Sequence, residues 1–148
     1  KCQYFISFID DYTRKVRIYF LKTKDEAFDK FVEWANFVEN QTDKRIKTLR
    51  TDNGLEFCNR SFDEFCSRKG FYGIERVHTR HSRMVLRAHE QDLNGESRSM
   101  LSDSGLPKKF WAEATHTTAI LINKTPSSAL NYEVPDKRWS GSHQSTAT

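Results

Sequence analysis

The sequence predicts one α/β domain, in which a mixed sheet is flanked by helices. Three observations indicate this fold class. Apolar runs with strand spacing alternate with stretches of helical periodicity, 36% of the residues are hydrophobic, and 148 residues suffice for a single buried core. The predicted elements follow the order strand-strand-helix-strand-helix-strand. This order is typical of a sheet with a hairpin followed by a parallel crossover.

The first elements are a hairpin and a helix. Residues 4–9 form a nearly continuous apolar run, residues 10–14 have the composition of a polar turn, and apolar and polar residues alternate over 16–20. This pattern predicts two antiparallel strands. Residues 23–26 have the spacing of a capping box, and the apolar positions that follow predict a helix from about 24 to 39.

The middle of the chain repeats the alternation of strand and helix. We expect a third strand over residues 45–51 and a short helix that begins with a second capping box at 61–64. Gly70 is a suitable residue to follow the end of that helix. Residues 71–77 could form a further strand.

The pattern is lost from residue 78 to 97, where no apolar stripe is found at either period, so we treat this segment as aberrant. A helix then begins at Leu106-Pro107, with proline at its favoured early position, and should end near Asn123. We assign residues 1–130 to the domain and residues 131–148 to a polar, frayed C-terminal tail.

Composition narrows the class of protein. Cys2, Cys58 and Cys66 lack metal-site spacing and are expected to be inert thiols. No run approaches the roughly eighteen apolar residues of a membrane span, so no membrane partner is expected. The chain opens in a strand without methionine, as expected of a fragment of a longer polypeptide.

The excess of positive charge is concentrated in one region. The net charge is +4, and residues 60–91 contain seven basic residues against four acidic ones. Arg76, Arg80, Arg83 and Arg87 are therefore candidates for contacts with nucleic-acid phosphates. An ordinary solvated loop remains the alternative reading of these charges.

Asp52 is the strongest single candidate for chemistry. It ends the predicted third strand and is followed by Asn53-Gly54, a pair suited to a tight turn, which is also the ordinary structural explanation for such a triplet. The motifs around Asp52 occur with others in a recognisable order, namely Phe8–Lys15, Thr51–Phe57, Leu106–Ala114 and Leu121–Leu130. Together they resemble the integrase core of copia-type retrotransposon Pol polyproteins.

This resemblance implies a ribonuclease-H-like fold and, in intact relatives, Mg²⁺- or Mn²⁺-dependent strand transfer that inserts element DNA into host DNA in the nucleus. Such chemistry uses two metal ions about 4 Å apart, held by carboxylates from several elements. In the family these are two aspartates and a glutamate. Asp52 matches the second aspartate, whereas the first belongs to a strand that would precede Lys1, so we expect a sheet lacking its first strand.

The third catalytic position departs from the family, because Arg87 stands where the glutamate is expected. Codons for the family residues Asn-Gly-Val, read one base out of frame, encode Met-Val-Leu, as at residues 84–86. Codons for the family residues Met-Asn-Arg-Thr, read out of frame in the same way, encode His-Glu-Gln-Asp, as at residues 89–92. These two matches favour a frameshift as the origin of this segment. We therefore expect an inactive fragment that binds no metal. The alternatives are a DNA-binding module without catalysis, or an enzyme using Glu56, Asp10 or Glu90 as a substitute ligand.

Overall fold

This computed structural model describes residues 3–51, 60–71, 85–88 and 91–144. The strands and helices are, in chain order, β1 (Tyr4–Asp10), β2 (Val16–Leu21), α1 (Ala27–Thr42), β3 (Thr48–Thr51), α2 (Arg60–Lys69), β4 (Val85–Ala88), α3 (Gln91–Ser104), α4 (Trp111–Lys124) and α5 (Pro135–Gln144). Single-turn 3-10 helices lie at Lys24–Glu26, Lys108–Phe110 and Ser128–Leu130. None of the helices in these ranges is long and apolar enough to cross a membrane.

The four strands form one mixed sheet in the order β2-β1-β4-β3. The predicted hairpin is confirmed, since β1 pairs antiparallel with β2 from Tyr4 opposite Leu21 to Ile9 opposite Val16. β4 pairs antiparallel with β1 on one side and parallel with β3 on the other. The α/β class is thus confirmed, with a parallel crossover from β3 through α2 to β4. The strand that the sequence predicted after α2, over residues 71–77, lies outside the described residues except for Phe71.

The position of β4 corrects the sequence analysis in one respect. Residues 85–88 lie in the segment treated as aberrant, yet they form a strand in the interior of the sheet, between β1 and β3. Val-Leu-Arg-Ala is only four residues long, too short for a periodicity to be recognised, and its pairing on both edges supplies the hydrogen bonds that a strand requires.

The two faces of the sheet are covered by different helices. Side chains alternate along β1, so that Ile6 and Phe8 lie in one hydrophobic cluster and Phe5 in another. The larger cluster contains α1 and α2, with Phe31 fully buried and stacked on Phe62 at 4.6 Å between ring centroids. The smaller cluster includes Ala119 of α4. The sheet is therefore enclosed between two layers of helix, as an α/β domain requires.

Several helix boundaries agree with the sequence, but one predicted cap does not. Gly70 has φ +73° directly after α2, the left-handed conformation that ends helices. Thr23, in contrast, makes no side-chain capping bond; instead Glu26 accepts a hydrogen bond from the Lys22 backbone N–H at 2.9 Å. The capping-box spacing therefore located the start of the helix correctly, although the Thr23 side chain does not cap it.

Two helices are absent from the sequence prediction. α3 begins at Gln91 within the segment treated as aberrant, and it contains Gly95, a residue that weakens helices and hid the pattern. α5 replaces much of the frayed tail expected beyond residue 130. Pro135 stands at its first position, where proline is favoured, and Trp139 packs against the larger cluster. A single apolar contact, that of Trp139, was too little for a helical periodicity to be detected in the sequence of α5.

Candidate active-site region at the centre of the sheet

The region predicted to hold catalytic acids lies at the carboxyl ends of the two parallel strands. β3 ends at Thr51, which is in register with Ala88 at the end of β4. Ala88 is in turn opposite Phe8 of β1. Asp52 follows Thr51 directly in the sequence, but residues 52–59 lie outside the described part of the chain. The predicted role of Asp52 therefore stays a prediction.

Arg87, the residue at the expected glutamate position, lies on the interior strand of the sheet. Its Cα is paired with that of Ile9 on β1 and with that of Arg50 on β3. Two cationic residues thus occupy neighbouring register positions on parallel strands. This register is an observation about the backbone, and the expected absence of a bound metal stays a prediction.

Asp10 is the one acidic residue in the described strands. It is only 3% exposed, and its Oδ2 accepts hydrogen bonds from the backbone N–H of Thr13 at 2.9 Å and from the Thr13 hydroxyl at 2.5 Å. Its Oδ1 is buried and has no hydrogen-bond partner among the residues that the structure describes. Asp10 therefore serves to close the hairpin turn, where Arg14 adopts a left-handed φ of 60°.

Asp10 is also remote from the end of β3. It pairs with Leu86, which pairs with Leu49, two residues before Thr51. With strands about 4.8 Å apart and residues about 3.3 Å apart along a strand, the separation of Asp10 from Thr51 is about 12 Å. Asp11 lies in the same turn and forms an ion pair with Arg14 at 3.1 Å. Neither aspartate converges on the residue that follows Thr51.

Within residues 3–51, 60–71, 85–88 and 91–144, no three His, Cys, Asp or Glu side chains are close enough together to hold a metal ion. A two-metal centre requires several converging carboxylates. The described residues alone therefore do not fit a pair of Mg²⁺ ions.

Cys66 is the one thiol that the described residues include. It is half-buried against the larger hydrophobic cluster. Burial, assisted by the negative charge of Asp63, raises the pKa of the Cys66 thiol to about 11. A thiol with so high a pKa is protonated at neutral pH and is a poor nucleophile or metal ligand. The geometry agrees with the inert role expected of Cys66.

The remaining predicted site residues, Arg76, Arg80, Arg83, Glu56 and Glu90, lie outside the described residues. The structure also contains a concave surface that the sequence analysis missed. It lies between Tyr12 in the hairpin turn and the start of α5, and its lining includes Arg138. Because the sequence predicted a frayed tail there, the only available signal was that Tyr132 is followed within six residues by Lys137 and Arg138.

Comparison with known proteins gives a consistent result. The family model described as "Integrase core domain" matches residues 2–84. The Pol polyprotein of transposon TNT 1-94 of Nicotiana tabacum is 41% identical over 93% of this chain, and that of transposon RE1 of Arabidopsis thaliana is 30% identical over 94%. The chain spans about a tenth of the length of these relatives.

Solved structures show the same fold. The catalytic core domain of HTLV-2 integrase, solved with magnesium in a dimeric form, superposes with a TM-score of 0.52 at 20% identity, covering 88% of this chain and 79% of that one. The trimeric form gives a TM-score of 0.53 at 17% identity. The predicted ribonuclease-H-like architecture and the resemblance to copia-type Pol polyproteins are thereby confirmed, and the chain belongs to the integrase core domain family.

Proposed function

We propose that this chain is an integrase core domain that keeps electrostatic affinity for DNA but has lost metal-dependent strand transfer. The observation that carries the proposal is the register of Arg87 with Arg50 on the two parallel strands. These strands lead toward Asp52, the position at which the resemblance predicts a metal-binding carboxylate. A cation near a metal ion repels it, so an arginine in place of a ligand carboxylate disfavours metal binding.

The distribution of acidic residues supports the loss of catalysis. Asp10, the only acid on the described strands, is bound to Thr13 and lies about 12 Å from the end of β3. It is thus poorly suited to replace a missing ligand. With Arg87 at the expected glutamate position, a metal pair at Asp52 would lack the converging carboxylates it needs.

The arginines before and on β4 favour contact with a polyanion such as DNA. Arg76, Arg80 and Arg83 precede β4 in the sequence, and Arg87 lies on it. Phosphate contacts from arginine are sequence-independent, and each neutralised phosphate contributes about −0.9 to the slope of log affinity against log salt. A domain that has lost its chemistry can therefore still bind duplex DNA through this region.

The test is the salt dependence of duplex binding, measured by fluorescence anisotropy. A variant with Arg76, Arg80, Arg83 and Arg87 all changed to Gln is compared with a control that loses the same charge elsewhere, at the exposed Lys22, Lys47, Lys108 and Lys124. We expect a wild-type slope of roughly −2 to −4, nearly abolished in the arginine variant and better retained in the control. A flat wild-type response, or equal losses in both variants, would leave these arginines as an ordinary solvated segment.

A further inference from the structure

An open groove of about 690 Å³ lies between the hairpin turn after β1 and the start of α5. Its lining includes Tyr12, Tyr132, Glu133, Lys137 and Arg138, which we call the Tyr12–Tyr132 groove. Its volume falls within the range of about 300–1,000 Å³ found for small-ligand sites. The groove adjoins the end of the sheet at which Asp10 lies. Thr51, the last residue of β3, lies at the opposite end of the sheet. The groove is therefore separate from the expected position of Asp52.

Tyr132 is held in an exposed position by a constrained backbone. Tyr132 is 77% exposed. Its φ is 65°, and the preceding residue, Asn131, has a φ of 53°. A bulky residue rarely adopts this left-handed conformation, and such strain is concentrated at functional sites. The turn is fixed by the Tyr132 N–H, which donates to the Ser127 carbonyl at 2.8 Å. A large ring is thus presented to solvent from a backbone conformation that is unfavourable for tyrosine.

Tyr12 and Arg138 are in contact with each other in the lining of the groove. The guanidinium carbon of Arg138 lies 4.6 Å from the centroid of the Tyr12 ring, and its Nη1 donates to the Glu133 carboxylate at 2.9 Å. Within the described part of the chain, the Nε of Arg138 is buried without a hydrogen-bond partner. Tyr12 itself is 55% exposed. The ion pair and the ring contact together hold the cation and the aromatic ring in fixed positions.

The charge of the groove selects among possible ligands. Lys137 is exposed and forms no ion pair with any residue in the described ranges, while Glu133, the acid in the lining, is engaged by Arg138. Lys137 and Arg138 repel a cationic ligand such as a methylated lysine. Flat rings that carry an adjacent negative charge are favoured, because the rings can stack on tyrosine and the charge can approach the two cations.

We infer that the Tyr12–Tyr132 groove binds single-stranded nucleic acid, with a base stacked on Tyr132 and its phosphate next to Lys137. Surfaces that bind single strands combine exposed aromatic rings with a cationic track, and stacking on one ring tolerates any base. This activity needs neither the metal ions nor the arginines invoked for duplex binding. The inference can therefore succeed or fail independently of the proposed function.

The experiment is anisotropy of labelled oligothymidylate and oligouridylate of about ten nucleotides, titrated with the whole chain. Tyr132→Asn removes the ring and tolerates the left-handed backbone, so the fold is preserved, whereas Tyr132→Phe keeps the ring. We expect Tyr132→Asn to weaken binding about tenfold and Tyr132→Phe to bind as the wild type does. Lys137→Gln should reduce the salt slope, and Lys108→Gln, an exposed lysine outside the groove, serves as its matched control. The two oligonucleotides distinguish DNA from RNA.

A heparin fragment, a polyanion without bases, tests whether the rings matter. If the Tyr132→Asn change weakens oligonucleotide and heparin binding equally, or weakens neither, the inference is overturned. The same applies if the wild-type chain fails to bind either oligonucleotide at low salt. Loss of oligonucleotide binding with unchanged heparin binding supports base stacking in the groove.

Discussion

The side-chain amide of Asn123 is paired with the backbone of Val16 by two hydrogen bonds. Asn123 Oδ1 accepts from the Val16 N–H, and Asn123 Nδ2 donates to the Val16 carbonyl, each at 2.8 Å. Val16 begins the edge strand β2, and Asn123 lies at the end of α4. An amide side chain thus satisfies the outward-facing groups of an edge strand in the way a neighbouring strand would, and it fixes α4 on the sheet.

We predict that Asn123→Ala lowers the free energy of unfolding by about 2 kcal/mol, because two buried backbone groups lose their partners. Urea denaturation followed by circular dichroism measures the change. Thr117→Ala, at an exposed position on the same helix, is the control and should change stability by less than about 0.5 kcal/mol. Equal effects of the two substitutions would show that the contact between Asn123 and Val16 contributes nothing specific.

β4 provides a second prediction, since it is paired on both edges. Leu86→Pro removes a backbone donor from an interior strand and should cost at least about 2 kcal/mol of stability. The control is Lys108→Pro, at the first position of a helical turn, where proline is tolerated. Thermal unfolding of both variants measures the difference in stability between them. A Leu86→Pro variant as stable as the control would contradict an interior position for residues 85–88.

The Cys66 thiol provides a prediction about pH. Burial raises its pKa from the ordinary 9.0 to about 11, so at pH 8 its thiolate fraction is about a hundredfold smaller than that of an ordinary thiol. In a chain that carries Cys2→Ser and Cys58→Ser, alkylation of native Cys66 should be slow and should accelerate strongly in urea. Because the folded pKa is raised, the contribution of this group to stability is complete below pH 9 and declines as the pH rises toward 11. Rapid alkylation of the native chain at pH 8 would contradict this environment.

The sequence predicted those parts of the fold whose periodicity is strong. The hairpin, α1, α2 and α4 have apolar residues at clear spacings, and Gly70 marked the end of α2 correctly. β4 was missed because its position depends on pairing with distant strands and not on its own four residues. α5 was missed because Trp139 provides its main apolar contact, and no period can be detected from a single anchor.

The candidate site was predictable only as far as the resemblance extended. The position of Asp10 in the hairpin turn followed from the motif, and its contact with Thr13 agrees with that role. The register of Arg87 with Arg50 could not be predicted, since no sequence pattern specifies which strands β4 would join. The Tyr12–Tyr132 groove brings together residues more than a hundred positions apart, which only the packing of α5 beside the hairpin turn explains.

Divalent-metal binding is the measurement that tests the central claim most directly. A site occupied at ten times its dissociation constant stabilises the folded chain by about 1.4 kcal/mol, which is readily detected as a rise in Tm. We predict that millimolar Mg²⁺ or Mn²⁺ leaves the Tm of the wild-type chain unchanged, and that the Asp52→Asn and Asp10→Asn variants show the same indifference to metal. A saturable rise in the wild-type Tm that disappears in Asp52→Asn would contradict the account, because it would mean that a functional metal site survives.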